Sequence, residues 1–186
     1  VCDAICKKYN HNSTWNEGIV GADAIKKVAK PYPDETHTKC LDSDAVLFGA
    51  IGDPKFDKDP SLKIRPEQGL LSMRKKLGLY ANIRPTFTFK ELIDMSPLKR
   101  NIIEGTDIVF VRDLTSGIYF GDRGRSSDRN SAFDTCYYNR DEIERIAKVG
   151  FDLSMIRSKK LCWIDKANVL ESSRLWRETI QSMESI

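Results

Sequence analysis

Five residues of this 186-residue chain have the types and settings from which anion binding and proton transfer are built. Arg74 and Arg84 stand in "RPEQGLLSMRKKLGLYANIRP" (65–85), and Arg112 follows the apolar run "DIVFV" (107–111). A guanidinium grips a carboxylate through parallel N–H donors, so three convergent arginines would suit a di- or tricarboxylate. Taken singly, each arginine equally fits a solvated surface position. Tyr119 lies between glycines in "SGIYFG" and Lys166 in "WIDKANV". The tyrosine suits a proton donor beside a cation, or a core aromatic with a satisfied hydroxyl. The lysine suits a proton acceptor when its pKa is depressed, or a surface charge.

The elements that must hold these groups are legible in outline. Pro66 fits a first helical turn, Glu67 fits the positive end of the dipole, and Gly78 fits the C-terminal cap. At about 100° per residue, Glu67, Leu70 and Arg74 fall within roughly a 60° arc. Two readings follow: a capped amphipathic helix with Leu70, Met73 and Leu77 as its apolar stripe, or a ligand face. On the second, Arg74 meets an anion, Leu70 an aliphatic group and Glu67 a polar or cationic part. Pro85 biases Arg84 toward an extended backbone. Arg112 would close a strand at the end where open α/β sheets bind ligands.

Three continuous apolar runs, "DAVLFGAI" (44–51), "DIVFV" (107–111) and "KLCWI" (160–164), read as strands covered on both faces. Helical patterns lie between and after them. "RDEIERIAKVGFDLSMIRSK" (140–159) carries Ile143, Ile146, Leu153 and Ile156 on one stripe, Asn139 as N-cap and a Glu144–Lys148 pair. "SSRLWRETIQSME" (172–184) reads as a second helix capped by Ser172 or Ser173. Strands alternating with helices indicate an α/β fold. The Gly-, Ser- and aromatic-rich stretch 112–139 reads as a hairpin or arm around a polar loop.

Composition narrows the function classes. Hydrophobic residues make up 40% and charged residues 31%, as in a soluble globular protein. No apolar run approaches the roughly 18 residues of a membrane span. Net charge is +3, from 30 basic and 27 acidic residues closely interspersed, which disfavours nucleic acid. The densest basic segment, "GDRGRSSDRN" (121–130), has two aspartates and no aromatic for stacking on bases. Five cysteines form no CxxC pair, so reduced, mostly buried thiols in a cytoplasmic-type compartment are expected. The opening "VCDAICKKYN" has no signal-peptide architecture and does not begin with Met, in keeping with processing or truncation.

In this order, "PYPDETHTKCLDSD", "DAVLFGAIGDPKFD", "RPEQGLLSMRKKLGLYANIRP", "SPLK", "VRDLTSGIYFG", "DEIERIA" and "IDKANVLESSRLWRE" resemble the isocitrate/isopropylmalate β-decarboxylating dehydrogenase family, its 3-isopropylmalate branch in particular. The resemblance covers nearly the whole chain and implies that family's α/β fold with a protruding β arm at about 113–139. It implies NAD-dependent oxidation of 3-isopropylmalate and decarboxylation to 2-oxoisocaproate in leucine biosynthesis, with Mg or Mn as metal. By motif match, Arg74, Arg84 and Arg112 hold the substrate carboxylates and Leu70 meets the isopropyl group. Tyr119 protonates the enol and Lys166 assists deprotonation of the hydroxyl. Asp53, Pro54, Lys55, Glu67 and Asn168 fall on the cofactor side. A homodimer with shared active sites is implied, the lysine reaching the partner's site.

Two positions depart from the family's pattern: Asp53 and Ser116 stand where most relatives carry glycine. The family's opening strand and glycine-rich turn do not appear, and its metal-binding aspartates are expected beyond the final "LWRETIQSMESI". The reading is therefore a fragment that joins part of a first domain (about 1–79) to the front of a second (about 80–186), inactive as it stands. The alternatives are a sibling acting on isocitrate, homoisocitrate or tartrate, and a catalytically silent truncated subunit.

Overall fold

The computed structural model describes residues 1–58 and 62–183. The chain divides into two units, Val1–Leu77 and Gly78–Ile186. The described part of the first unit is helical: α1 (Cys2–Tyr9), α2 (Gly21–Val28), α3 (Asp34–Leu41), α4 (Pro54–Asp57) and α5 (Pro66–Lys76). Its centre is the packing of α5 on the segment after α2. Gly69 of α5 lies so close to Pro31 that any Cβ would collide with the proline's carbonyl oxygen. Ala22, Ala24, Tyr32 and Met73 are buried in this unit. At the start of α2, Gly21 has φ 64° and donates to the Pro31 carbonyl at 2.7 Å, while Ala22 donates to Ile51 O at 3.2 Å.

The local signals in α5 hold. Pro66 occupies the first turn, and the Arg65 N–H donates to Gln68 Oε1 at 3.0 Å. Glu67 sits in the first turn, Arg74, Lys75 and Lys76 in the last, each sign facing the dipole end that stabilises it. The helix ends at Lys76 with Leu77 as its C-cap, and Gly78, φ 65°, takes the left-handed position just past the cap.

The run 44–51 forms no strand; Leu47 is 78% exposed. Strand formation needs a neighbour to take the backbone hydrogen bonds, and the described part of this unit contains none. Ile51, at the end of the run, is tied to α2 through its carbonyl, which accepts from Ala22 N.

The second unit opens with an antiparallel ribbon of β1 (Ala81–Phe87) and β2 (Asp107–Asp113), in register from Ala81 opposite Asp113 to Phe87 opposite Asp107. Between them run a 3-10 turn, Lys90–Met95, and α6 (Arg100–Ile103). Thus "DIVFV" is a strand, though it is not covered on both faces: Ile108 and Phe110 are exposed. A two-stranded antiparallel ribbon replaces the expected sheet environment, so the ligand-binding rule for open α/β sheets does not apply to Arg112. Leu114 N donates to Tyr80 O and Thr88 N to Thr106 O, bracketing the ladder. Alternation from these ends puts Pro85, opposite Val109, at a position that exchanges no hydrogen bonds with β2.

The expected hairpin in 112–139 is present. A 3-10 turn, Gly117–Tyr119, leads into β3 (Arg123–Arg125) and β4 (Ala132–Asp134), paired antiparallel. The basic segment 121–130 is thus partly strand rather than all loop.

Two helices complete the unit, α7 (Arg140–Met155) and α8 (Glu171–Met183). They share a core of Ile143, Ala147 and Ile180, flanked by Tyr138, Phe151, Trp163, Leu175 and Trp176. Ile143 is 0% exposed, and burial of such a side chain contributes about 2–3 kcal/mol. Arg145 of α7 and Arg157, just past the end of that helix, reach Asp113 and Asp107 at the two ends of β2.

Three local expectations are corrected. Lys148 pairs with Asp152 at 3.0 Å rather than with Glu144, since both partners suit the i,i+4 spacing. Ser172 and Ser173 fall inside α8, and the Ser173 hydroxyl accepts from Lys166 N at 3.1 Å. The run 160–164 is no strand: Ile164 is 90% exposed, and Trp163 is held by Asp165 instead of a neighbouring strand. All five cysteines are free thiols, as expected, but they are not buried: Cys2, Cys6 and Cys40 are half-buried and Cys136 and Cys162 exposed. Among the described residues, no helix is long and apolar enough to cross a membrane.

Asn139 caps α7 reciprocally with Glu142: each side chain accepts from the other's N–H, at 2.9 and 3.0 Å. Asn139→Ala should therefore cost about 1 kcal/mol, read as a lower urea midpoint at unchanged slope. Asn139→Asp should be close to neutral.

Candidate active site

In the first unit the residues expected at a cofactor form one neighbourhood. Asp53 caps α4, its Oδ1 accepting from Lys55 N at 3.0 Å, while Oδ2 accepts from Lys26 Nζ at 2.6 Å. The Lys26 bond first, then the Lys55 N–H, hold the Asp53 carboxyl below its ordinary range. The negative charge at this departure from the family's pattern is thus answered within the chain. Pro54 and Lys55 open α4. Glu67 faces the same turn: a Cβ added to Gly52 would lie 3.5 Å from its Oε1. Leu70 and Arg74 follow on α5, both half-buried.

In the second unit the ribbon register gathers three more candidates. Asn82 stands opposite Arg112 and Arg84 opposite Phe110, so Asn82, Arg84 and Arg112 share one face. Arg84 Nε donates to Asn82 Oδ1 at 2.5 Å, which holds the guanidinium over the ribbon. Arg112 Nη2 donates to the Tyr119 hydroxyl oxygen, and its guanidinium lies 5.4 Å from the tyrosine ring centroid. Because the phenol accepts this bond, its own O–H is left to donate elsewhere. Arg84, Arg112 and Tyr119 therefore present two cations and one proton donor from a single ribbon face and the turn after it.

That turn is fixed from behind. Gly117, φ 70°, lets the backbone approach Tyr138, whose hydroxyl would lie 2.5 Å from any added Cβ. Asp113, its side chain 3% exposed, accepts from Ser116 N at 2.9 Å. Burial pushes the Asp113 carboxyl up; the Ser116 N–H and the Arg145 charge, 4.0 Å away, oppose this. Burial likewise pushes the Tyr138 phenol up to about 12. Arg145 Nη2 donates to Thr115 Oγ1 at 2.6 Å and to Ser116 Oγ at 3.5 Å. The second departure from the family's pattern, Ser116, thus adds a hydroxyl where Arg145 has a donor for it.

Lys166 sits on a turn before α8, its side chain exposed. Among the described residues no hydrogen bond or ion pair joins it to Arg84, Arg112 or Tyr119. Asn168, two residues on, is exposed on the same turn. Beside the turn is an open depression of about 480 Å³ lined by Trp163, Ile164, Asp165, Arg177 and Gln181. Among the described residues, no three His, Cys, Asp or Glu side chains gather so as to hold a metal ion.

A profile of the isocitrate/isopropylmalate dehydrogenase family matches residues 1–185. The chain belongs to that family. The 3-isopropylmalate dehydrogenase of Bacteroides fragilis is 56% identical over 183 residues, 98% of this chain and 51% of the relative. That of Bacillus subtilis is 44% identical over 187 residues, again 98% and 51%. A β-decarboxylating dehydrogenase of Thermococcus kodakarensis, in its apo form, superposes with a TM-score of 0.61 at 28% identity, covering 89% of this chain and 44% of that one. The chain spans about half the length of the curated relatives it matches.

Within this isocitrate/isopropylmalate dehydrogenase chain, four residues that support the candidates were not singled out from sequence. Asn82 had a signal, since it lies two positions before Arg84 on one strand face. Lys26, Arg145 and Arg177 had none, because their partners lie 27, 32 and 12 positions away and meet them only through the fold.

Asp165 yields a pH prediction. Its carboxyl is lowered from 3.8 to about 2, chiefly by Arg177 and then by the Ala167 N–H. A depressed folded-state pKa means that the stabilisation is complete above pH about 4 and is lost as pH falls through about 2. Urea midpoints measured down this acid limb should fall less steeply for Asp165→Asn than for the unaltered chain. Parallel limbs would count against the assignment.

Proposed function

We propose that this chain supplies the substrate grip and proton-moving groups of an NAD-dependent dehydrogenase that oxidises 3-isopropylmalate and decarboxylates the product to 2-oxoisocaproate. The observation that carries this reading is the cluster of Arg84, Arg112 and Tyr119, in which the tyrosine accepts from one arginine and keeps its proton to give. Membership of the isocitrate/isopropylmalate dehydrogenase family and the similarity to curated 3-isopropylmalate dehydrogenases support it.

Each group has a role its surroundings allow. Arg84 and Arg112 hold substrate carboxylates through charge-assisted hydrogen bonds, and Arg74 contributes a third guanidinium from α5. Leu70, one helical turn before Arg74, offers apolar surface to the isopropyl group. Lys166 accepts the hydroxyl proton as the alcohol is oxidised. After loss of CO2, Tyr119 donates its proton to the enol carbon. The Arg112 guanidinium beside it stabilises the phenolate that forms, which lowers the cost of that transfer.

The donor set of the first unit suits a dinucleotide. Glu67 is an exposed acceptor for an amide N–H, Lys55 is an exposed cation for a phosphate, and the side-chain-free Gly52 lies beside Glu67. Asp53 and Pro54 shape this turn, and Asn168 offers a further amide. NAD, when bound, supplies the hydride acceptor. Mg or Mn belongs to the proposal as the ion that polarises the hydroxyl. The described residues do not form a site that fits such an ion, so no step here passes through it. A homodimer in which Lys166 serves the partner's site completes the proposal.

The test is NAD reduction by the full-length product of the gene, with 3-isopropylmalate, isocitrate, homoisocitrate and tartrate in the presence of Mg or Mn. Turnover should be highest with 3-isopropylmalate; preference for another of the four would move the assignment to that sibling. Leu70→Ala should lower discrimination between 3-isopropylmalate and malate by about 1–3 kcal/mol. Unchanged discrimination would remove Leu70 from the pocket.

A further inference from the structure

The carboxylate of Asp165 is engaged on every side. Its Oδ2 accepts from Trp163 Nε1 at 2.9 Å and Arg177 Nε at 3.1 Å; its Oδ1 accepts from Ala167 N at 3.1 Å and Arg177 Nη2 at 2.8 Å. Four donors meet the roughly four lone-pair sites a carboxylate has. The side chain is only 9% exposed. Two donors flank Lys166 in sequence and two come from a single guanidinium of α8. The backbone of Lys166 is held as well: its N–H donates to Ser173 Oγ, and its carbonyl accepts from Val169 and Leu170 N–H at 3.0 and 2.9 Å. Arg174 Nε donates to Ala167 O at 3.0 Å. Three residues of α8 thus hold the turn from Asp165 to Ala167, while the Lys166 side chain stays exposed.

Capping alone does not require this. The helix starts at Glu171, yet the bonds concentrate on residues four to six positions earlier. A backbone fixed on both flanks beneath an exposed amine is what delivery of that amine to a fixed point demands. We propose that the bidentate Asp165–Arg177 pair is a positioning device that aims Lys166, an inference that rests on the dehydrogenase reading above. Arg177 acts through Asp165 and does not itself meet substrate. Since Lys166 moves a proton and the arginines bind the carboxylates, loosening the turn should slow chemistry without weakening substrate binding.

The test uses the full-length product of the gene with Asp165→Asn, Arg177→Gln and Arg177→Lys. In the first two, amide exchange at Lys166 and Ala167 should speed up about 10- to 100-fold, with Ile146 and Ala147 of α7 unchanged. In the same variants kcat should fall about 10- to 100-fold while KM for 3-isopropylmalate moves less than about twofold. Arg177→Lys, which keeps the cation and one contact, should recover part of the kcat. It is also the variant to read if Arg177→Gln fails to fold. Unchanged exchange, or faster exchange with unchanged kcat, would overturn the positioning role. The exchange arm needs no turnover, so an unaltered protein without 3-isopropylmalate activity overturns the dehydrogenase reading separately.

Discussion

In the β1–β2 ribbon, Asn82 lies opposite Arg112 and Arg84 opposite Phe110. Strand side chains alternate, so a slip of one residue between the strands would put Arg84 and Arg112 on opposite faces. With β2 as the strand that moves, it would also turn Asp107 and Asp113 away from their partners, Arg157 just past the end of α7 and Arg145 on it. The two ion pairs at the ends of β2 and the arginine face therefore depend on one register. The Arg112–Tyr119 contact, the Asn82 tether and the turn at Gly117 all follow from it. A proton donor beside a guanidinium is a consequence of strand alignment as much as of residue choice.

Three aspartates show how differently the fold treats one functional group. Asp53 is at a helix start, close to solvent, and is matched by Lys26. Asp165 takes four donors and stays ionised far into acid. Asp113 is the contrasting case. It is buried with Oδ1 lacking a hydrogen-bond partner, and burial pushes its carboxyl up. The first two fix backbone beside candidate cofactor and lysine positions. The third sits one residue from Arg112, where a partly unsatisfied carboxylate lowers the positive potential beside that guanidinium.

What the sequence made legible was mostly local. Pro66, Gly78, Asn139 and Glu142 act within one turn of where they stand, and all occupy the helix ends their chemistry suits. The hairpin at 123–134 and the family motifs were legible for the same reason: each is a contiguous string. The runs 44–51 and 160–164 were not, because an apolar run becomes a strand only when another strand offers its hydrogen bonds. Asp165 is visible in the sequence as the neighbour of Lys166, but its tie to Arg177 spans twelve positions and a change of direction. Lys26 and Asp53 are further apart still.

Pro85 draws out a last consequence of the ribbon. A pair of strands leaves two open borders whose free N–H and C=O groups can template the addition of further chains. At its place opposite Val109, Pro85 directs its ring nitrogen outward, so the donor row along β1 has a gap. A foreign strand aligning there would meet a missing hydrogen bond and the bulk of a pyrrolidine ring. The residue that keeps Arg84 extended also makes that border a poor seed for aggregation.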